Sequence, residues 1–288
     1  MLSHEIMQKM RCIEIQTRRL LSGSLVGDYS SAQKGSGLDF DQIRAYQMGD
    51  DIRFIDWKAS ARSDTVLVKQ YREDRSRTVI IALDTSASLF YGSSEILKME
   101  RAAEVASVFA LVSLYGKDYV GALTFSDHVE KIYAPGKTIK HIHAMMETFF
   151  SYQQRQMGAT TSLETLIARI MQFQKQQAIV ILVSDFIDSG YEKMLTVLSK
   201  KHEVIAVRCL DNGEKMIPAV GFIPIVDPET GYISCIQSNN FRINHTIKEY
   251  HAQVEATLRK CGADVLDIPL ERSFVGDIIR FFRRRMRY

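Results

Sequence analysis

Cysteine and tryptophan are scarce in this chain, four and one respectively in 288 residues. Cys12, Cys209, Cys235 and Cys261 stand far apart with no Cys-x-x-Cys pair among them. That excludes the usual zinc spacings and a dense disulfide framework, and it reads as reduced thiols in a cytoplasmic protein. No apolar run reaches the roughly eighteen residues of a membrane span. Charged residues also interrupt every apolar stretch where a secretory leader would stand. Neither sign of charge dominates: 37 Lys and Arg face 34 Asp and Glu, a net +3 too slight to indicate nucleic acid. Signature loops of several enzyme classes are missing too. No Gly-x-Gly-x-x-Gly follows a strand, which removes a dinucleotide site, and there is no Gly-x-Ser-x-Gly elbow. Gly136-Lys137-Thr138 suggests a phosphate loop, but Lys131 stands where that motif needs its first glycine.

What is present begins with two short apolar runs. Val79-Ile80-Ile81-Ala82-Leu83 ends in Asp84-Thr85-Ser86-Ala87-Ser88, and Ala178-Ile179-Val180-Ile181-Leu182-Val183 ends in Ser184-Asp185. Short and largely β-branched, both read as fully buried parallel strands with a carboxylate at the carboxyl end. In an open α/β sheet that edge is where ligands bind, at the point where strand order reverses. Between the runs lies Gly158-Ala159-Thr160-Thr161-Ser162-Leu163, a hydroxyl-rich loop entering an amphipathic helix. In a near-extended Asp-x-Ser-x-Ser segment the side chains of Asp84, Ser86 and Ser88 point the same way. Together with Thr161 and Asp185 they form an all-oxygen donor set suited to Mg²⁺ or Mn²⁺. Each half alone is explained as well by capping and turn chemistry. The complete set, in order and on the right elements, favours a metal.

The remaining pattern is strand–helix alternation. Residues 4–22 read as a short amphipathic helix and 23–37 as a Gly- and Ser-rich loop. From Phe40 to Gln70 charge is dense around the single tryptophan. Asp50, Asp51 and Asp56 beside Arg53 and Arg62 allow a second cation site, an anion patch, or an ion-paired clamp anchored by Trp57. Val105, Val108, Phe109, Val112 and Tyr115 recur at helical spacing. Strands are expected at 119–125, antiparallel at 129–133, then at 204–208, 222–236 and 265–268. Helices are expected at 138–150, 162–175, 190–200 and 243–258, the last stopping at Gly262, with a final helix running toward Arg287. His141 and His143 fall within a helical pattern and read as solvated or half-buried. In the basic tail, Arg280-Phe281-Phe282-Arg283-Arg284-Arg285, the rings pack while the arginines meet water, an acidic partner or anionic lipid.

Asp84-x-Ser86-x-Ser88, a threonine before a helix and Asp185 resemble the metal-ion-dependent adhesion site of von Willebrand factor type A domains. Thr161-Ser162-Leu163 fits the threonine motif best; Thr160 is the ligand if Gly158 sets the register. A second resemblance runs through Gly35-Ser36-Gly37-Leu38-Asp39-Phe40, Arg44-Ala45-Tyr46, Gly49-Asp50-Asp51-Ile52-Arg53-Phe54-Ile55-Asp56-Trp57, Ala61-Arg62 and Leu67-Val68-Lys69. It continues at Asp227-Pro228-Glu229-Thr230-Gly231 and in the basic tail. These stretches are similar to the domain-of-unknown-function family fifty-eight, and the similarity spans the chain from about residue 20 to its end.

The fold expected is α/β, a doubly wound, mostly parallel sheet flanked by helices, with an N-terminal extension. Residues 1–75 form that extension, packing on a type A-like domain at 76–288. The resemblance implies a metal-dependent protein-binding adaptor without catalysis of its own. A Glu or Asp of the partner would complete the ion's shell, and the partner would be an AAA+ ATPase of the MoxR type engaged in maturing or remodelling protein complexes. The placement expected is cytoplasmic; for the basic tail, a helix C-terminus favoured by positive charge stands beside the alternative of a peripheral inner-membrane contact. Two alternatives to the adaptor remain: a Mg²⁺-dependent phosphohydrolase using Asp84, and a structural envelope-associated protein with a vestigial metal site.

Overall fold

The computed structural model describes residues 4–20, 38–63, 65–73, 76–93, 96–152, 160–215, 217, 220–238 and 241–285. The loop expected at 23–37, the Gly158-Ala159 start of the hydroxyl-rich loop and Met286 to the end of the tail lie outside the described residues. The chain divides into two compact units, one of Met1–Val26 with Arg77–Tyr288 and the other of Gly27–Ser76. The first element, α1 (His4–Leu20), belongs to the larger unit.

In the smaller unit β1 (Leu38–Ala45) pairs antiparallel with β2 (Leu67–Glu73), with a register shift between Phe40 and Gln42. The short α2 (Trp57–Ser60) lies between them, capped by the Asp56 carboxylate, which accepts from the Lys58 and Ala59 N–H groups at 3.1 and 3.0 Å. Asp50, Asp51 and Asp56 each have a cationic partner. Arg44 holds Asp50 through two bonds of 2.8 and 2.7 Å, Arg53 holds Asp51, and Lys69 lies 3.2 Å from Asp56. The ion-paired arrangement therefore prevails over a second cation site. Trp57 does not anchor it: at the first position of α2 its ring is turned outward and is 69% exposed.

The larger unit is built on β3 (Thr78–Asp84), α3 (Lys98–Tyr115), β4 (Tyr119–Phe125), β5 (Val129–Gly136), α4 (Ile139–Ser151), α5 (Leu163–Phe173), β6 (Ile179–Ser184), α6 (Glu192–Lys201) and β7 (Glu203–Leu210). The short α7 (Asn212–Lys215), the hairpin β8 (Phe222–Val226) and β9 (Ile233–Gln237), α8 (Phe241–Lys260), β10 (Asp264–Pro269) and α9 (Val275–Arg285) complete it. Six strands form one sheet in the order β10-β7-β6-β3-β4-β5. Every neighbouring pair in it is parallel except β4 with β5.

Because helices cover both faces, the central strands carry no polar alternation. Val79 to Leu83 and Val180 to Val183 are buried throughout, each large side chain contributing about 1.5–3 kcal/mol relative to exposure. α3 is buried on nearly every side, since α1 and α4 lie against it. Tyr115, expected in its core stripe, instead sits at the exposed rim, where its hydroxyl accepts from Arg18 Nε at 3.1 Å. α8 ends at Gly262, whose φ of +87° is the left-handed stop that a glycine there predicts. On α9, Ile278 and Phe281 are buried and Phe282 meets Phe109 edge-on at 5.9 Å, while Arg284 is exposed.

Candidate metal centre

Strand order reverses between β3 and β6. From β3 the chain winds outward through β4 to β5; from β6 it winds the other way through β7 to β10. Leu83 pairs with Val183 at the carboxyl ends of the two strands, so the residues that follow them emerge side by side. Asp84 is fully buried there. Its Oδ1 accepts the Ser86 N–H at 2.8 Å and its Oδ2 accepts the Ser184 hydroxyl at 2.6 Å. The Oγ atoms of Ser86 and Ser88 lie 3.0 Å apart, both buried. They converge by a route other than alternation along a strand. Ser86 is extended, but Ala87–Phe90 is a 3-10 turn, which folds Ser88 back toward Ser86.

Asp185 follows β6 directly, 7% exposed. The next residue, Phe186, has φ +58°, a left-handed conformation costly for a non-glycine residue. Its ring is fully buried and its N–H donates to Ser184 Oγ at 3.1 Å, contacts that hold the turn and aim Asp185. Burial, reinforced by the negative charge of Asp185, pushes the Asp84 carboxyl up to about 7, against the opposing hydrogen bonds from Ser184 and Ser86. The two acids thus lie close enough for the charge of Asp185 to act on Asp84.

Thr161 is buried and Thr160 exposed. Two bonds fix the loop that carries them: Ser162 N–H donates to Ser126 C=O at 2.9 Å, and Leu163 N–H donates to Asp188 Oδ2 at 2.8 Å. Leu163, Leu166, Ile167 and Ile170 bury one face of α5 behind it. The Thr161 hydroxyl donates to Glu229 Oε1 at 3.1 Å. Burial raises the Glu229 carboxyl above its usual range, and the charge of Asp185 adds to that shift. Asp84, Ser86, Ser88 and Asp185 are therefore brought to the adjoining ends of β3 and β6, whereas the Thr161 hydroxyl bonds to Glu229.

Three participants escape a reading of strand ends. Lys98, fully buried at the start of α3, donates to Asp185 Oδ2 at 3.0 Å and to Glu214 Oε1 at 2.6 Å. Burial would lower its pKa, but the Asp185 and Glu214 carboxylates more than reverse this and raise it. The local signal is a lysine at the first position of a helix that also carries Glu100, Arg101 and Glu104, which by itself names no partner. Glu229 lies within Asp227-Pro228-Glu229-Thr230-Gly231, whose proline and glycine are turn residues.

The donor set fits a hard divalent cation. Among the described residues no three His, Cys, Asp or Glu side chains form a group that could hold a metal ion, so any such site would draw on the hydroxyls of Ser86, Ser88 and Thr161 beside the carboxylates. Asp84, Asp185 and Glu214 bring three carboxyls to this region and the Lys98 ammonium bonds two of them, Asp185 and Glu214, which leaves room for further positive charge.

A doubly wound, mostly parallel sheet in the order β10-β7-β6-β3-β4-β5, with one antiparallel edge strand, is a von Willebrand factor type A-like fold. The chain belongs to the family described as Protein of unknown function DUF58, whose profile matches residues 42–257. It is similar to the uncharacterized proteins Rv1480 of Mycobacterium tuberculosis and Mb1516 of Mycobacterium bovis. Each is 28% identical over 288 residues, covering 96% of this chain and 89% of the relative. Among solved structures it is similar to the conserved hypothetical protein BatB from Bacteroides thetaiotaomicron, at 16% identity and a TM-score of 0.47, covering 74% of this chain and 100% of that one. The SpRpn10 VWA domain follows at 11% identity and a TM-score of 0.38, covering 71% and 94%. The fold assignment itself rests on strand order and connections.

Proposed function

We propose that this protein is a divalent-cation-dependent protein-binding adaptor with no catalysis of its own. The observation that supports it most is the buried Asp84–Asp185 pair beside the Ser86 and Ser88 hydroxyls at the switch point. Asp84, Ser86, Ser88, Thr161 and Asp185 would hold Mg²⁺ or Mn²⁺. Neutral hydroxyls leave the ion's charge incompletely cancelled, so the bound ion supplies an attachment point for a carboxylate of a partner. Burial of the surrounding strands keeps water from competing and makes that contact strong. Beside the site, the β8–β9 hairpin exposes Phe222, Tyr232 and Ile233, apolar surface of the kind that protein interfaces cover.

The resemblance to family fifty-eight suggests the partner: an AAA+ ATPase of the MoxR type, which would supply ATP hydrolysis in maturing or remodelling complexes. A phosphohydrolase reading needs an acid–base group two residues beyond Asp84. Ser86 stands there, its hydroxyl engaged with Ser88. The vestigial-site reading draws on Lys98, whose ammonium already lies on Asp185. Among the described residues no helix is long and apolar enough to cross a membrane; the reading takes the protein as cytoplasmic, with the α9 arginines at a membrane or acidic surface.

Co-purification with a MoxR-type ATPase, in Mg²⁺ and in chelator, tests the adaptor. The expectation is capture by the wild type in Mg²⁺ only, lost in Asp84→Ala. Capture indifferent to both chelator and variant would establish the vestigial site instead. Phosphatase turnover abolished in Asp84→Ala would establish the enzyme.

A further inference from the structure

In the smaller unit, residues 46–66 connect β1 to β2. One bond closes the segment, Tyr46 N–H to Val66 C=O at 2.8 Å, and another pins its middle, Asp56 N–H to Leu67 C=O at 2.8 Å. Between these points polar groups build three successive turns. Asp50 N–H donates to Gln47 C=O at 3.0 Å and Gly49 has φ +107°, so Met48 stands at the tip of a β-turn. Asp51 caps the 3-10 turn Ile52–Phe54, accepting from Arg53 N–H at 3.0 Å. Asp56 caps α2, and the Ser60 hydroxyl accepts from Leu67 N–H at 2.8 Å, which ties that helix to β2. Each turn presents an apolar side chain to water: Met48 is fully exposed, Ile52 is 67% exposed and Trp57 69%. One such exposure is ordinary; three at one end of a hairpin, on a frame of capped turns, mark a surface that another molecule covers.

We propose that this end of the smaller unit docks an acidic segment of another protein, with Trp57 as the apolar anchor and Lys58 and Arg62 as partners for its carboxylates. The proposal stands apart from the cation site and does not depend on it. Charge decides the occupant. Asp50, Asp51 and Asp56 are engaged by Arg44, Arg53 and Lys69. Lys58 and Arg62 are exposed and pair with no carboxylate among the described residues. Arg62 N–H bonds to Ala59 C=O at 3.1 Å, so the two cations stand one turn apart directly after Trp57. An anionic membrane fits poorly. Residues 46–66 hold Asp50, Asp51, Asp56 and Asp64 against Arg53, Lys58 and Arg62, whereas lipid attraction takes a cluster of roughly four to eight basic residues. Trp, Met and Arg are also the types enriched at protein interfaces, and an indole fixed on a capped turn binds with little loss of chain entropy.

The chain has a single tryptophan, so indole emission from the full protein reports Trp57 alone. The free protein should emit as a water-exposed indole that acrylamide quenches readily. A displayed library of random short peptides, panned on the full chain, should enrich sequences with several Asp or Glu around an aliphatic or aromatic residue. A tryptophan-free synthetic peptide of that composition, followed by the anisotropy of an attached fluorescein, should shift Trp57 emission to the blue and bind less tightly as salt is added. Its affinity should fall about tenfold in Trp57→Ala and in the double variant Lys58→Glu, Arg62→Glu. Both are surface changes that should leave urea unfolding unaltered. Failure to enrich acidic peptides, or equal binding to wild type and both variants, would overturn the proposal. So would a blue-shifted, poorly quenched indole in the free protein: in the monomer it would place Trp57 against the chain's own larger unit, and with dimer mass in ultracentrifugation against a second copy. A blue shift on phosphatidylglycerol vesicles with no acidic peptide enriched would assign the surface to a membrane instead.

Discussion

At Asp84, burial and like charge act in the same direction, and the consequence is a pH dependence of fixed sign. The folded carboxyl titrates near 7, whereas an unfolded aspartate titrates near about 3.9. Between those values the folded state holds a proton that the unfolded state has released. Stability of the chelator-treated protein should therefore fall as pH rises from about 4 to about 7, by an amount on the order of a few kcal/mol, and then level off. Asp84→Asn should flatten that slope, as read by urea unfolding at pH 5 and pH 8; the same slope in the variant would place the titration on another group. Asp84, Ser86, Ser88 and Asp185 were legible because each sits within a few positions of an unmistakable strand end. Lys98, Glu214 and Glu229 were not, since their contacts close loops of 87, 116 and 68 positions, and no local pattern announces such a pairing.

Among elements, the strands and helices of the larger unit were readable from run length and spacing, and the Gly262 stop from composition alone. β1 and β2 escaped because they are rich in charge and the alternation of β1, Leu38 and Phe40 then Ile43 and Ala45, slips by one residue at the irregularity between Phe40 and Gln42. The geometry of Asp84-x-Ser86-x-Ser88 was misjudged for a related reason. Strand-like alternation was assumed to continue past β3, whereas the chain turns into a 3-10 segment once it leaves the sheet. The junction of α5 with the loop after β6 matters most to the site, because the Asp188 carboxylate and the Leu163 N–H tie Thr161's loop to Asp185's. Asp188→Ala removes a charge-assisted bond and should cost about 1.5–3 kcal/mol at most. It should also weaken Mg²⁺ binding several-fold by releasing Thr161. Thermal unfolding with and without Mg²⁺ reads both effects, and an unchanged Mg²⁺ shift would show that Thr161 is placed by other contacts.

For the whole molecule, a doubly wound sheet fixes Asp84 and Asp185 at its switch point, and the β8–β9 hairpin brings Glu229 to the Thr161 hydroxyl. The cation-dependent adaptor function follows from a divalent ion being held between Asp84 and Asp185. The most direct measurement is a calorimetric titration of the chelator-treated full chain with Mg²⁺ and with Mn²⁺, alongside Asp84→Ala. The account predicts saturable one-site binding to the wild type and its loss in a variant that unfolds as cooperatively as the parent. No saturable binding to the wild type, or equal binding to both proteins, would contradict it.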